Sequence, residues 1–207
     1  MTKVYILKTA KYDPIKDNLS KYEGLDLVAR GEYSPSIVVG NQEIITAVDR
    51  LAVKDADFIF HSPSLRTRGT AEAIRQTLSP NAILIETPFL AEVYFSLKDL
   101  VTQEEYEREG SNLVRKRFIE LFVNNCNDKT LEPRRSIQKR IVDFLALLRS
   151  GKYQNEKLVA VSHSFFMKVL QIYLRELTLF ENPALLSKHF NWQKRTFEFC
   201  QGFSFEI

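Results

Sequence analysis

Leu158-Val159-Ala160-Val161-Ser162-His163-Ser164-Phe165-Phe166 is the stretch from which the fold can be read. Four apolar residues in a row are the pattern of a strand buried on both faces. The run breaks at Ser-His-Ser and resumes as Phe166-Met167-Lys168-Val169-Leu170-Gln171-Ile172, with apolar positions at helical spacing. A strand that passes straight into a helix leaves backbone N–H groups free at the turn, and these favour an anion. His163 stands on that turn, at the carboxyl end of the strand, where open α/β sheets place their ligands. A histidine there suits a satisfied loop position as well as a working one, because it titrates near neutrality. The rest of the chain has to decide between them.

Outward from this stretch the same alternation recurs. Val4-Tyr5-Ile6-Leu7 reads as a first strand ending at Lys8-Thr9-Ala10, followed by a polar connection from 11 to 39 with at most one short ordered piece. An amphipathic helix is expected from Asn41, then a strand at Phe58-Ile59-Phe60 that ends in His61-Ser62-Pro63-Ser64. Ser64 is placed to cap a helix from Leu65 to Leu78, and Ala82-Ile83-Leu84-Ile85 makes a third strand. Strands and helices in alternation predict a three-layer α/β/α sandwich with a mainly parallel sheet. Residues 98–133 break the pattern: they are charged, helix-prone and interrupted by Gly110, and predict a helical insertion or cap within a single domain spanning 1–207. The Arg115-Lys116-Arg117 cluster inside this piece suits a solvated helix face better than a partner-binding patch. Ser136 is expected to cap a helix running to Arg149, with Gly151 as its stop. The alternation around Gly202 predicts a closing hairpin or edge strand.

Composition narrows the function classes. The hydrophobic fraction of 44% suffices for a sizeable core in 207 residues, and the net charge is +3. That charge admits an anionic ligand but falls short of the basic stripe of a nucleic-acid binder. Cys126 and Cys200 are far apart and lack metal-type spacing, which suits reduced thiols in a cytoplasmic protein. No signal peptide or membrane span is legible, and no carboxylate-rich or Cys/His cluster points to a metal or an organic cofactor.

Four strand ends carry polar residues that could converge: Lys8-Thr9, His61-Ser62 with Arg66, Glu92 after the third strand, and Ser162-His163. Ser62-Pro63-Ser64-Leu65-Arg66-Thr67 with Thr70-Ala71-Glu72 resembles the Ser-Pro-Leu-x-Arg-Ala-x-x-Thr-Ala segment of the histidine phosphatase superfamily, the phosphoglycerate-mutase-like phosphatases. Ala91-Glu92 resembles the segment that supplies the family's acid, and Val161-Ser162-His163 its second-histidine motif. The resemblance spans the sheet core and leaves out 98–133. It implies a phosphate site lined by Lys8, Thr9, Ser62, Arg66 and His163, with Glu92 as proton donor.

The first motif departs from the family. Where family members carry Arg-His-Gly, with the histidine taking the phosphoryl group, this chain has Lys8-Thr9-Ala10. A threonine hydroxyl needs an adjacent base to attack, and lysine lacks arginine's bidentate fork. The expectation is therefore a pseudoenzyme that keeps a cradle for inorganic phosphate or a small phosphorylated ligand without ordinary turnover. Two alternatives stand beside it. His61 could serve as a displaced nucleophile in an active phosphomonoesterase, with Glu92 and His163 as its catalytic partners. Or the old site, or the insertion with its basic clusters and Tyr94, Phe95 and Tyr106, could hold a protein partner.

Overall fold

The computed structural model of the chain describes all residues except 1, 16–17, 39, 49–52, 125–128, 177–181, 192 and 194–195, and leaves aside the side chains of 41, 43 and 47. Its centre is the strand of the opening stretch. β1 (Lys3–Lys8), β2 (Phe58–His61), β3 (Ile83–Glu86), β4 (Leu158–Ser162) and β5 (Gly202–Glu206) form one sheet in the order β3-β2-β4-β1-β5. All five residues of β4 are buried, as its apolar run requires, between β2 on one side and β1 on the other. The pairings within β1 to β4 are parallel, and β5 closes the sheet as an antiparallel edge along β1.

Strand alternation divides the core in two. Leu7, Ile59, Val159 and Val161 pack with Ile44 and Val48 of α2 (Asn41–Val48) and Ala71, Ala73 and Ile74 of α3 (Leu65–Leu78). Ile6, Phe60, Leu158 and Ala160 face the other way, onto α7 (Arg134–Arg149) and α8 (Ser164–Arg175). The architecture is thus an α/β sandwich with helices on both faces of a mostly parallel sheet. Ser64 caps α3, its Oγ accepting from the Thr67 amide at 3.4 Å.

The ordered piece expected between 11 and 39 is α1 (Lys21–Ala29), opened by a Ser20/Glu23 capping box. It is tied inward. The Tyr22 hydroxyl donates to the Val101 carbonyl at 2.6 Å, and buried Asp26 accepts from the amides of Leu97 and Lys98. Asp26 thereby caps α4 (Leu97–Leu100) from a distant part of the sequence. Within 98–133, α5 (Gln103–Glu109) and α6 (Ser111–Asn124) follow α4. Phe118 and Phe122 of α6 enter the same core as the sheet.

Two local expectations need correction. α7 begins at Arg134, so Ser136 lies inside it; its hydroxyl bonds the Glu132 carboxylate rather than the helix end. Helix α7 ends at a Ser150 cap, and Gly151 opens a short 3₁₀ turn. The edge strand expected around Gly202 is β5, preceded by a turn at 199–200. Cys200 is buried and free, its thiol pushed up to about 11 by burial, whereas Cys126 lies outside the described residues. Among the described residues no helix is long and apolar enough to cross a membrane.

Candidate active site

Sheet topology fixes where a ligand would sit. The chain leaves β2 for α3 on one face and leaves the neighbouring β4 for α8 on the other, which opens a crevice at their carboxyl ends. Ser62 and His163, the residues that follow these two strands, meet across it: Ser62 Oγ lies 2.8 Å from His163 Nε2. Arg66, on the first turn of α3, reaches the other side of the ring, with Nη2 3.1 Å from His163 Nδ1.

This geometry assigns the imidazole proton. A guanidinium only donates, so Nδ1 must accept, and the neutral ring carries its proton on Nε2 and gives it to Ser62. Neutrality follows from the surroundings: burial, then the charges of Arg66, Arg140 and Lys8, hold the His163 pKa well below 6.5. The Ser62 hydroxyl passes its own proton to Thr67 or Ser64, at 2.8 and 3.2 Å. A serine made nucleophilic by histidine needs an acceptor behind the ring to free Nε2. Here a donor stands there, so His163 cannot serve as base toward Ser62.

A cavity of about 120 Å³ opens beside this group, lined by Ser62, Arg66, Glu92 and His163. Tyr33, Ser34 and Tyr94 are also part of its wall. Arg66 is 5% exposed, stacks over the Tyr12 ring at 4.7 Å, and its Nε has no hydrogen-bond partner among the described residues. The polar connection before residue 39 thus supplies part of the wall. Ser34 Oγ accepts from the Leu65 amide at 2.7 Å, and Gly31, at φ +73°, passes so close to Tyr94 that a Cβ would lie 2.4 Å from the ring.

Glu92 reaches the site from the loop after β3. Its Oε1 accepts from the amides of Val93 and Phe166 at 3.0 Å each, and Oε2 meets the Phe165 amide at 3.5 Å. Two of the N–H groups expected to attract an anion at the start of α8, those of Phe165 and Phe166, are therefore occupied by the chain's own carboxylate. Burial nevertheless raises the Glu92 pKa, outweighing those hydrogen bonds and the nearby Arg66 charge. The loop is fixed from behind by Arg140, which donates to the Ala91 carbonyl at 2.7 Å and pairs with Glu132, and by the Ser162 hydroxyl on the Leu90 carbonyl.

The remaining candidates turn elsewhere. The Thr9 amide extends the ladder to the Ser162 carbonyl, yet its hydroxyl faces the Arg66 carbonyl at 2.9 Å and Thr70 Oγ1 at 3.2 Å, away from the cavity. Lys8 Nζ donates to the Phe197 carbonyl at 3.0 Å and lies over the Phe199 ring, bordering a second cavity beyond Glu92. His61 is buried on the Ile59 side of β2, with Nδ1 2.8 Å from the Ser62 carbonyl, and borders neither cavity. In the 115–117 cluster, Arg117 is held bidentately by Glu105, whose pKa it lowers to about 2. Among the described residues no three His, Cys, Asp or Glu side chains gather as a metal site.

Comparison with known proteins identifies the family. The family model described as histidine phosphatase superfamily (branch 1) matches residues 38–190. The chain belongs to the histidine phosphatase superfamily. Solved structures with this superfamily fold include YhfR of Bacillus stearothermophilus, at 15% identity and TM-score 0.66, covering 100% of this chain and 92% of that one. Phosphoserine phosphatase of Entamoeba histolytica, solved with 3-phosphoglyceric acid, shares 18% identity at TM-score 0.55, covering 92% and 86%. Mycobacterial glucosyl-3-phosphoglycerate phosphatase shares 15% at TM-score 0.57, covering 88% and 83%. At these identities the likeness is one of fold. No curated protein matches the sequence. The superfamily match begins after β1 and so does not include Lys8-Thr9-Ala10.

Proposed function

We propose that this histidine phosphatase superfamily chain binds inorganic phosphate or a small phosphomonoester between Arg66, His163 and Ser62, and that it has lost phosphoryl transfer through a covalent intermediate. One observation carries the reading. A buried guanidinium is held at His163 beside a cavity, and its Nε has no partner among the described residues. Leaving a buried charged donor unsatisfied is costly, and an anion in the cavity would satisfy it. The lost chemistry follows from position 9. A covalent route needs a nucleophile with a base, and the Thr9 hydroxyl has a carbonyl and another hydroxyl as its partners.

Calorimetry with sulfate and phosphate tests the first half. Binding to the native chain should weaken by about tenfold or more in Arg66→Ala, the scale of a charged hydrogen bond. Equal binding by both proteins would overturn it. Hydrolysis of a generic aryl phosphate tests the second half. The native chain should stay near the uncatalysed rate, since loss of a nucleophile in other hydrolases costs on the order of 10⁶ in turnover. Brisk turnover by the unmodified chain would refute the loss.

A further inference from the structure

We infer that the second cavity receives the organic part of the phosphorylated ligand, and that this part is a flat aromatic group. The inference rests on the anion reading above and adds the class of ligand to it.

This cavity has a volume of about 310 Å³ and shares Glu92 with the phosphate cavity as a common wall. Its apolar side is built from phenylalanines that already pack on one another. Phe118 meets Phe165 edge-on at 4.4 Å between ring centroids, and Phe165 stacks on Phe190 at 5.2 Å with an interplanar angle of 17°. Phe95 and Val114 continue the surface. Aromatic rings prefer such edge-on and offset partners, so the walls present faces and edges suited to another ring.

Connectivity ties the two cavities together. Phe165 lies two residues beyond His163, on the first turn of α8, so one turn of helix contributes to both. Charge supports the same orientation. Lys8 and Arg115 border the aromatic cavity without reversing the positive character of the site, which suits an organic group that arrives attached to a phosphoryl dianion. Size sets the limit. The volume lies at the lower end of about 300–1,000 Å³ for small-molecule sites, enough for one or two fused rings and too small for a dinucleotide or a long acyl chain.

The test is calorimetry on the full chain with two non-hydrolysable probes, methylphosphonate and 1-naphthylmethylphosphonate. The native protein should bind the naphthyl probe about tenfold or more tightly, as expected from the apolar area that a ring buries. Val114→Trp should fill the cavity and remove that advantage while leaving methylphosphonate affinity unchanged. Ser111→Trp, at an exposed position on the same rim, reads the same effect if the first variant folds poorly. Equal affinity for the two probes in the native chain would overturn the inference and leave the anion site standing. A naphthyl advantage that survives in a folded Trp variant would also overturn it. Failure of both probes to bind would instead overturn the anion reading, and this inference with it.

Discussion

At the scale of single residues the arrangement is governed by what stands behind a ring nitrogen. Arg66 donates to His163 Nδ1, and the imidazole is therefore neutral and commits its one proton to Ser62. The pH dependence follows. The folded-state pKa of His163 lies below the ordinary value of 6.5, so the unfolded chain binds this proton more readily. The stability contributed by neutral His163 is present above about pH 6.5 and is lost as pH falls through the window below it. Glu92 has the opposite sign: its raised pKa makes the folded chain the better proton binder, and that contribution fades as pH rises above 4.5. An anion in the cavity should raise the pKa of His163, so sulfate binding should take up a proton. Calorimetry in two buffers of different ionisation heat should record this uptake near pH 6, with sulfate affinity rising as pH falls. His163→Gln should remove the His163 share. Proton uptake that is zero in the native chain would contradict the assignment.

At the scale of elements, β2 with α3 and β4 with α8 deliver the site, and Glu92 holds the start of α8 in place. Glu92→Ala leaves the Phe166 amide without its acceptor and should cost about 1–2 kcal/mol, as for loss of a helix cap, seen as a lower urea midpoint. Glu92→Gln keeps an acceptor oxygen without a buried charge and should cost less. The strands and α3 were legible because apolar period and capping chemistry are local signals, as in Val159-Ala160-Val161 and Ser64. Other features were not, because their cause lies far along the chain. The Glu92 carboxylate finds the Phe165 and Phe166 amides more than seventy residues away, and Asp26 caps α4 across a similar distance. Ser136 was misplaced because helix propensity in Arg134 and Arg135 carries α7 back to Pro133, although Ser is the better cap by type. Tyr12, Tyr33 and Ser34 gave no periodic signal; only the fold of their loop brings Tyr12 under Arg66 and the other two to the cavity. Lys8 and Thr9 stand at a strand end, but the partners that hold their side chains, the Phe197 carbonyl for Lys8 and the Arg66 carbonyl and Thr70 for Thr9, lie far along the chain.

At the scale of the whole molecule, α6 binds the 98–133 piece into the main core, and we propose that the chain unfolds as one domain. Phe122 is fully buried, with its ring against Phe165 of α8 and Phe190. Phe122→Ala should cost about 3–5 kcal/mol, and far- and near-ultraviolet circular dichroism should still report one coincident transition. Separate transitions would mean that α4 to α6 form an independent unit. The two faces of the sheet also differ in character: small residues of α3 such as Ala71 and Ala73 pack on one, whereas phenylalanines crowd the other, on the side of α6 and α8. Arg66 stands on α3, on the side of the small residues, and the second cavity is lined by phenylalanines of the crowded one. On the two proposals above, descendants of this protein can remodel that cavity by exchanging one large ring for another, and drift toward new organic groups, while Arg66 stays anchored among the small residues of the opposite face.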